Sequence, residues 1–158
     1  LISETLQSPS DRAPSARARP RQTELPTHSL PAGAQPLIVV GYSSRPEGRA
    51  ALKRALSEAR LRGAGLVVVN TSPELETDGL TAELAASGVT YEIRIPADVE
   101  DSAEELIRTA ETTDADFIVI GLRRRSPVGK LLLGSNAQRV LLDAACPVLA
   151  VKAEPGAG

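Results

Sequence analysis

Residues 37–69 read LIVVGYSSRPEGRAALKRALSEARLRGAGLVVV, and this stretch decides the fold. It begins with an uninterrupted apolar run at 37–40, as expected for a strand that is buried on both faces. Ser44, followed three residues later by Glu47, predicts a capping box at the start of a helix. That helix carries Ala and Leu on one face and Arg and Lys on the other, and it ends at two glycines before a second apolar run. The stretch therefore predicts a strand–helix–strand unit with parallel strands.

The same alternation continues toward the end of the chain. Three further segments predict strands at residues 89–95, 117–121 and 147–151. Helices are expected within 71–88, after Asp98, and from Ser135, where Gln138 would complete a second capping box. The last helix is expected to turn inward Val140, Leu141 and Ala144. Five strands joined by helices predict an α/β fold: an open, mainly parallel sheet with helices on both faces.

The overall composition excludes several classes of function. The chain has 158 residues, a length typical of one domain, and its 18 Lys and Arg nearly balance 20 Asp and Glu. This balance gives no reason to expect nucleic-acid binding, and three aromatic residues are too few for a base-stacking platform. One Cys and one His cannot form an internal disulfide or a cluster of metal ligands. No apolar run reaches about 18 residues, so we expect no membrane segment and predict a cytoplasmic protein.

A change of composition near residue 36 predicts where the folded part begins. Residues 1–36 hold six of the twelve prolines and no aromatic residue, so we expect a disordered extension. Its arginines lie among Ser and Pro, and either a tether for an anionic partner or a solvated tail fits them. We predict one folded domain over residues 37–152 and a flexible tail over 153–158.

Two loops are the candidates for a binding site. Ligands of open parallel sheets bind beyond the carboxyl ends of the strands, which here precede the loops at 42–45 and 122–134. The second loop joins three arginines and a lysine to Gly134-Ser135 at a predicted helix start. Backbone N–H groups at a helix start suit phosphate. An ordinary capped helix behind a solvated basic loop fits the same residues, so both interpretations stay open.

Two established phosphate motifs are absent. A P-loop would need a glycine where Arg124 stands and a Ser or Thr where Leu131 stands. The glycine fingerprint of dinucleotide-binding folds is missing from the first strand–helix turn, which reads Ser43-Ser44-Arg45.

The loops and their flanking strands resemble a known family. The relevant segments are PEGRAAL at 46–52, FIVIG at 117–121, SPVGKLLLGS at 126–135 and VLLDAACPVLAV at 140–151. By these segments, in order and spacing, residues 37–152 resemble a universal stress protein domain. The resemblance implies a Rossmann-like sheet with strand order 3-2-1-4-5, a role in stress-response regulation, and a homodimer formed through the last strand at 147–151.

The resemblance also implies a nucleotide site. ATP-binding members of the family carry Gly-x2-Gly-x9-Gly-(Ser/Thr) after the fourth strand, which Gly121, Gly134 and Ser135 fit. Arg124 replaces the second glycine, and Ser43 replaces an aspartate that typically contacts the nucleotide. The expected nucleotide contacts are Ser43, Thr71, Gly121, Arg123, Arg124, Gly129, Lys130, Gly134, Ser135 and Asn136.

The resemblance leaves two functions open. The first is a stress-response regulatory protein that binds ATP or a related adenine nucleotide, with Mg²⁺ held mainly by the phosphates. The alternative is a degenerate member that binds no nucleotide and acts as a dimeric protein-interaction module. The loops offer no evident general base, so we expect no enzyme, and at most slow ATP hydrolysis or autophosphorylation.

Overall fold

The structure is a computed structural model that describes residues 35–72, 77–123 and 133–153. The described residues form the strands β1 (Leu37–Tyr42), β2 (Gly65–Asn70), β3 (Tyr91–Arg94), β4 (Phe117–Leu122) and β5 (Val148–Lys152). They also form the helices α1 (Pro46–Arg62), α2 (Thr77–Ser87), α3 (Ser102–Thr113) and α4 (Ser135–Asp143). A 3-10 turn over Val99–Asp101 leads into α3.

The strands make one sheet in the order β3-β2-β1-β4-β5, and every neighbouring pair is parallel. This confirms both the predicted open parallel sheet and the strand order that the resemblance implies. The chain order reverses between β1 and β4, which lie side by side. The carboxyl ends of these two strands therefore lie side by side at one edge of the sheet, where ligands of such folds bind.

Apolar side chains of the central strands cover both faces of the sheet. Ile38 and Val40 pack on one face with residues of α1 and α2, whereas Val39 and Val67 pack on the other with residues of α3 and α4. Every residue of β2 is buried. Burial on both faces explains why these strands read as uninterrupted apolar runs rather than as alternating ones.

The capping box predicted at the start of α1 is wrong. The N-cap residue is Arg45, and no side chain caps the helix there. The Ser44 hydroxyl lies 3.5 Å from the hydroxyl of Ser72 instead. The Glu47 carboxylate accepts a hydrogen bond from Arg123, 2.9 Å away. A bond between two charged groups is stronger than one to a neutral backbone N–H, so the carboxylate turns away from the helix end.

The capping box predicted at the start of α4 is also wrong. Gly134 is the N-cap, so the cap lies one residue earlier than Ser135 and has no side chain. The Gln138 side-chain amide donates to the carbonyl of Leu133 at 3.4 Å. Ahead of α3, Asp98 accepts a hydrogen bond from the Glu100 N–H and so starts the 3-10 turn rather than the helix.

One of the residues expected to face inward from α4 does not. Val140 is 1% exposed, but Leu141 is 39% exposed and Leu142 is 82% exposed. Successive residues of a helix are about 100° apart, so three consecutive apolar residues cannot all face the same core. Ala144, just past the helix, is half-buried and packs against the core.

The chain enters the fold at the amino ends of the strands. The Gln35 side-chain amide donates to the carbonyl of Gly63, and its oxygen accepts from Thr90. Gly63 and Thr90 come just before β2 and β3. The predicted extension lies outside the described residues up to residue 34, and so does the predicted tail from residue 154. No helix in the described part is long and apolar enough to cross a membrane.

Candidate functional site

A cavity of about 750 Å³ opens at the carboxyl ends of the strands. This volume is in the range of pockets that hold small molecules and cofactors. Among the predicted contacts, the structure brings together at this cavity Ser43, Thr71, Gly121, Arg123, Gly134, Ser135 and Asn136. The other predicted contacts, Arg124, Gly129 and Lys130, lie outside the described residues.

Three helices begin at the cavity. The lining includes Glu47 and Gly48 from the first turn of α1, Ser102 from the start of α3, and Ser135 and Asn136 from the start of α4. Each helix follows a parallel strand, so all three start at the edge where the strands end. The start of each helix carries the positive end of the helix dipole. The arrangement favours a negatively charged ligand.

The first helix lies very close to the sheet at this edge. A Cβ added at Gly121 would collide with the carbonyl group of Glu47, and one added at Gly48 would collide with Ser43. Glycine at 121 is therefore needed for the packing of α1, whether or not a ligand is bound. In contrast, a Cβ at Gly134 would meet nothing within 4 Å.

An ion pair in the cavity wall joins the first turn of α1 to the residue that follows β4. The Arg123 Nε donates to the Glu47 carboxylate at 2.9 Å, although the two residues are 76 positions apart. The Glu47 side chain is 16% exposed and that of Arg123 is 37% exposed. The sequence interpretation missed Glu47 because the capping pattern accounted for it. One signal could have identified the pair. β1 and β4 are neighbours in the expected strand order, and Glu47 follows β1 while Arg123 follows β4.

The remaining wall mixes hydroxyl and apolar groups. The Thr71 N–H and hydroxyl both donate to the carbonyl of Tyr42, at 2.7 and 2.9 Å. The Ser72 N–H donates to the side chain of Asn70 at 2.9 Å. Apolar atoms are contributed by Gly41, Ala103, Leu106, Ile120 and Val140. The cavity thus offers an apolar surface beside polar groups, a combination that suits an organic anion.

Several lining residues were not anticipated from the sequence. Besides Glu47, these include Arg45, Gly48, Ser72 and Ser102. Arg45 belongs to the first candidate loop, although it was not among the expected contacts. Ser102 is buried at the start of α3, and only the fold brings it to the cavity.

The cysteine lies elsewhere. Cys146 is half-buried just before β5 and packs against the core under α3 and α4. Burial raises the pKa of its thiol, and the negative charge of Glu111 adds to the effect. The thiol is therefore mostly protonated at neutral pH and a poor nucleophile.

Comparison with known proteins gives consistent results. The model of the family described as the universal stress protein family matches residues 75–152. A protein of Mycolicibacterium smegmatis named "Universal stress protein" is 47% identical over 127 residues, covering 73% of this chain and 97% of that protein.

Two solved structures from Archaeoglobus fulgidus have the same fold. One is of a universal stress protein, with a TM-score of 0.56 and 33% identity, covering 75% of this chain and 99% of that one. The other is of the universal stress protein in complex with dAMP, with a TM-score of 0.52 and 28% identity, covering 75% and 98%. The fold, the cavity at the carboxyl ends of β1 and β4, and this similarity over nearly the full length of the relatives lead to one conclusion. The chain belongs to the universal stress protein family.

Proposed function

We propose that this chain is a stress-response regulatory protein that binds ATP or a related adenine nucleotide in the cavity. The observation that carries the proposal is the meeting of three helix starts and Arg123 with an apolar wall in one cavity. Helix N-termini and an arginine suit phosphate, and apolar surface suits a base. The similar Archaeoglobus protein in complex with dAMP supports an adenine nucleotide as the ligand.

In the proposed complex, the phosphates lie at the start of α4. Gly134 lets the backbone approach an oxygen closely, while Ser135 and Asn136 add N–H and side-chain donors. Arg123 supplies positive charge, and so would Arg124 and Lys130 from the basic loop. Mg²⁺, where present, would be held mainly by the phosphates and water.

The base and sugar lie toward Thr71 and the apolar wall. Since the Thr71 N–H and hydroxyl already donate to Tyr42, Thr71 would accept a hydrogen bond from the ligand at its carbonyl or hydroxyl oxygen. Ser43 lines the same side and offers a hydroxyl where the family's aspartate would offer a carboxylate. A hydroxyl is a weaker acceptor for sugar hydroxyls than a carboxylate.

We further propose a binding role rather than a catalytic one. The carboxylate of Glu47 in the cavity wall is held by its hydrogen bond with Arg123, an arrangement that suits positioning of the arginine rather than general-base catalysis. Hydrolysis or autophosphorylation should be slow. Sustained turnover of ATP above about 1 s⁻¹, an ordinary enzyme rate, would contradict this role.

Calorimetric titration of ATP into the full chain, with and without Mg²⁺, tests the proposal. We expect micromolar affinity for the unaltered chain, a loss of at least about tenfold for Gly134→Ala, and no detectable binding for Ser135→Asp. Gly79→Ala is the matched control, because a Cβ at Gly79 also meets nothing within 4 Å and this residue lies in α2, away from the cavity lining. No heat at millimolar ATP would reject nucleotide binding.

A second candidate function rests on β5, which lies at the edge of the sheet beyond β4. Here the chain would bind no nucleotide and act as a dimeric interaction module, with the homodimer formed through the predicted strand at 147–151. Val148, Leu149 and Val151 are only partly buried in the described structure. An edge strand with such side chains can pair with a second copy.

A further inference from the structure

The carboxylate of Glu47 is fixed in place relative to the sheet. Its backbone carbonyl lies directly against Gly121 at the end of β4, with no room for even a methyl group between them. Its side chain is 16% exposed and reaches the Nε of Arg123 at 2.9 Å. The negative charge of Glu47 therefore stays in the cavity wall beside the arginine.

The same contact leaves part of the guanidinium able to bind an anion. A guanidinium has five N–H donors in one plane, and the bond to Glu47 is made by the single N–H on Nε. The terminal nitrogens carry the other four, and the Arg123 side chain is 37% exposed. A phosphate that meets these nitrogens would lie within several ångströms of the Glu47 carboxylate and would be repelled by it.

We propose that Glu47 is a specificity-determining residue that limits the affinity of the cavity for ligands of high negative charge. It neutralises part of the attraction that Arg123 exerts, and the repulsion grows with each added phosphate charge. The proposal rests on the proposed nucleotide site and deepens it. The charge of residue 47 sets how strongly the site prefers a triphosphate over a monophosphate or a nucleoside.

The variant Glu47→Gln isolates the charge. Glutamine has the same shape, and its side-chain oxygen can still accept the hydrogen bond from Arg123. The matched control is Glu92→Gln, because Glu92 likewise accepts from an arginine Nε, that of Arg94 at 2.7 Å, but on β3 and away from the cavity lining. Both variants change the net charge of the chain by the same amount.

Adenosine, AMP, ADP, ATP and inorganic tripolyphosphate are titrated without divalent cations into the full chain and both variants. We expect Glu47→Gln to bind ATP and tripolyphosphate about three- to tenfold more tightly, AMP less so, and adenosine unchanged within about twofold. The gain should shrink as salt is raised. Glu92→Gln should match the unaltered chain for every ligand.

The outcomes separate this inference from the proposed function. If nucleotides bind but Glu47→Gln changes all ligands equally, or none, the selectivity role is wrong while the nucleotide site stands. If nucleotides fail to bind and tripolyphosphate still binds more tightly to Glu47→Gln, the charge effect stands without the adenine site. No binding of any ligand to any variant overturns both. Unchanged adenosine binding also shows that the variant is folded.

Discussion

At the scale of single residues, Gly121 and Gly134 have different reasons to be glycine. We expect Gly121→Ala to destabilise the protein by about 1–3 kcal/mol, because its Cβ would collide with the carbonyl group of Glu47. Gly134 has φ −62° and ψ 158°, which any residue adopts, and open space around it. Gly134→Ala should therefore change stability by no more than about 0.5 kcal/mol, because the gain through the unfolded chain is offset by the poorer fit of alanine at an N-cap, although the variant weakens ATP binding. Urea denaturation of both variants measures this. Equal midpoints would contradict the account.

At the scale of elements, α4 is held to the sheet by few side chains. Val140 is 1% exposed and Leu142 is 82% exposed, although they are only two positions apart. We expect Val140→Ala to cost about 1–3 kcal/mol, because it removes buried methyl groups and leaves a cavity. Leu142→Ala should stay within about 0.5 kcal/mol. Denaturation midpoints of the two variants check this, and a larger loss at Leu142 would show that this side chain is covered in solution.

Strands were easier to predict from the sequence than helix starts. Long apolar runs such as 37–40 identify central strands, since burial on both faces leaves no other pattern. Helix starts were less predictable. Glu47 fits a local capping rule but binds Arg123, which only the fold brings near, whereas Gln138 binds the carbonyl of Leu133, five residues earlier, instead of completing a cap. The two loops were predictable because ligands of open parallel sheets bind beyond the carboxyl ends of the strands. The family resemblance then indicated individual contact residues on them. Ser102 was not, as it belongs to neither loop.

At the scale of the whole molecule, β5 is the edge of the sheet through which we expect two copies to pair. Ala150 is the middle residue of β5 and is exposed, so twofold pairing of β5 would bring two copies of it close together. We expect the unaltered chain to be a dimer and Ala150→Glu to be a monomer, because two like charges would then face each other. Sedimentation velocity measures the change. The matched control is Ala86→Glu. Ala86 is exposed in α2, which precedes β3, the strand at the opposite edge of the sheet. A dimer that survives Ala150→Glu would place the contact elsewhere.

The hydrogen bonds of Gln35 hold the entering chain at the end of the domain opposite to the cavity. They tie the entering chain to Gly63 and Thr90, just ahead of β2 and β3. The cavity lies at the other ends of these strands, and a six-residue strand spans about 20 Å. A rigid affinity tag fused directly ahead of Gln35 would attach the domain through the amino ends of its strands. The mouth of the cavity would then face the solution, which makes this the natural point for immobilising the protein on a sensor surface.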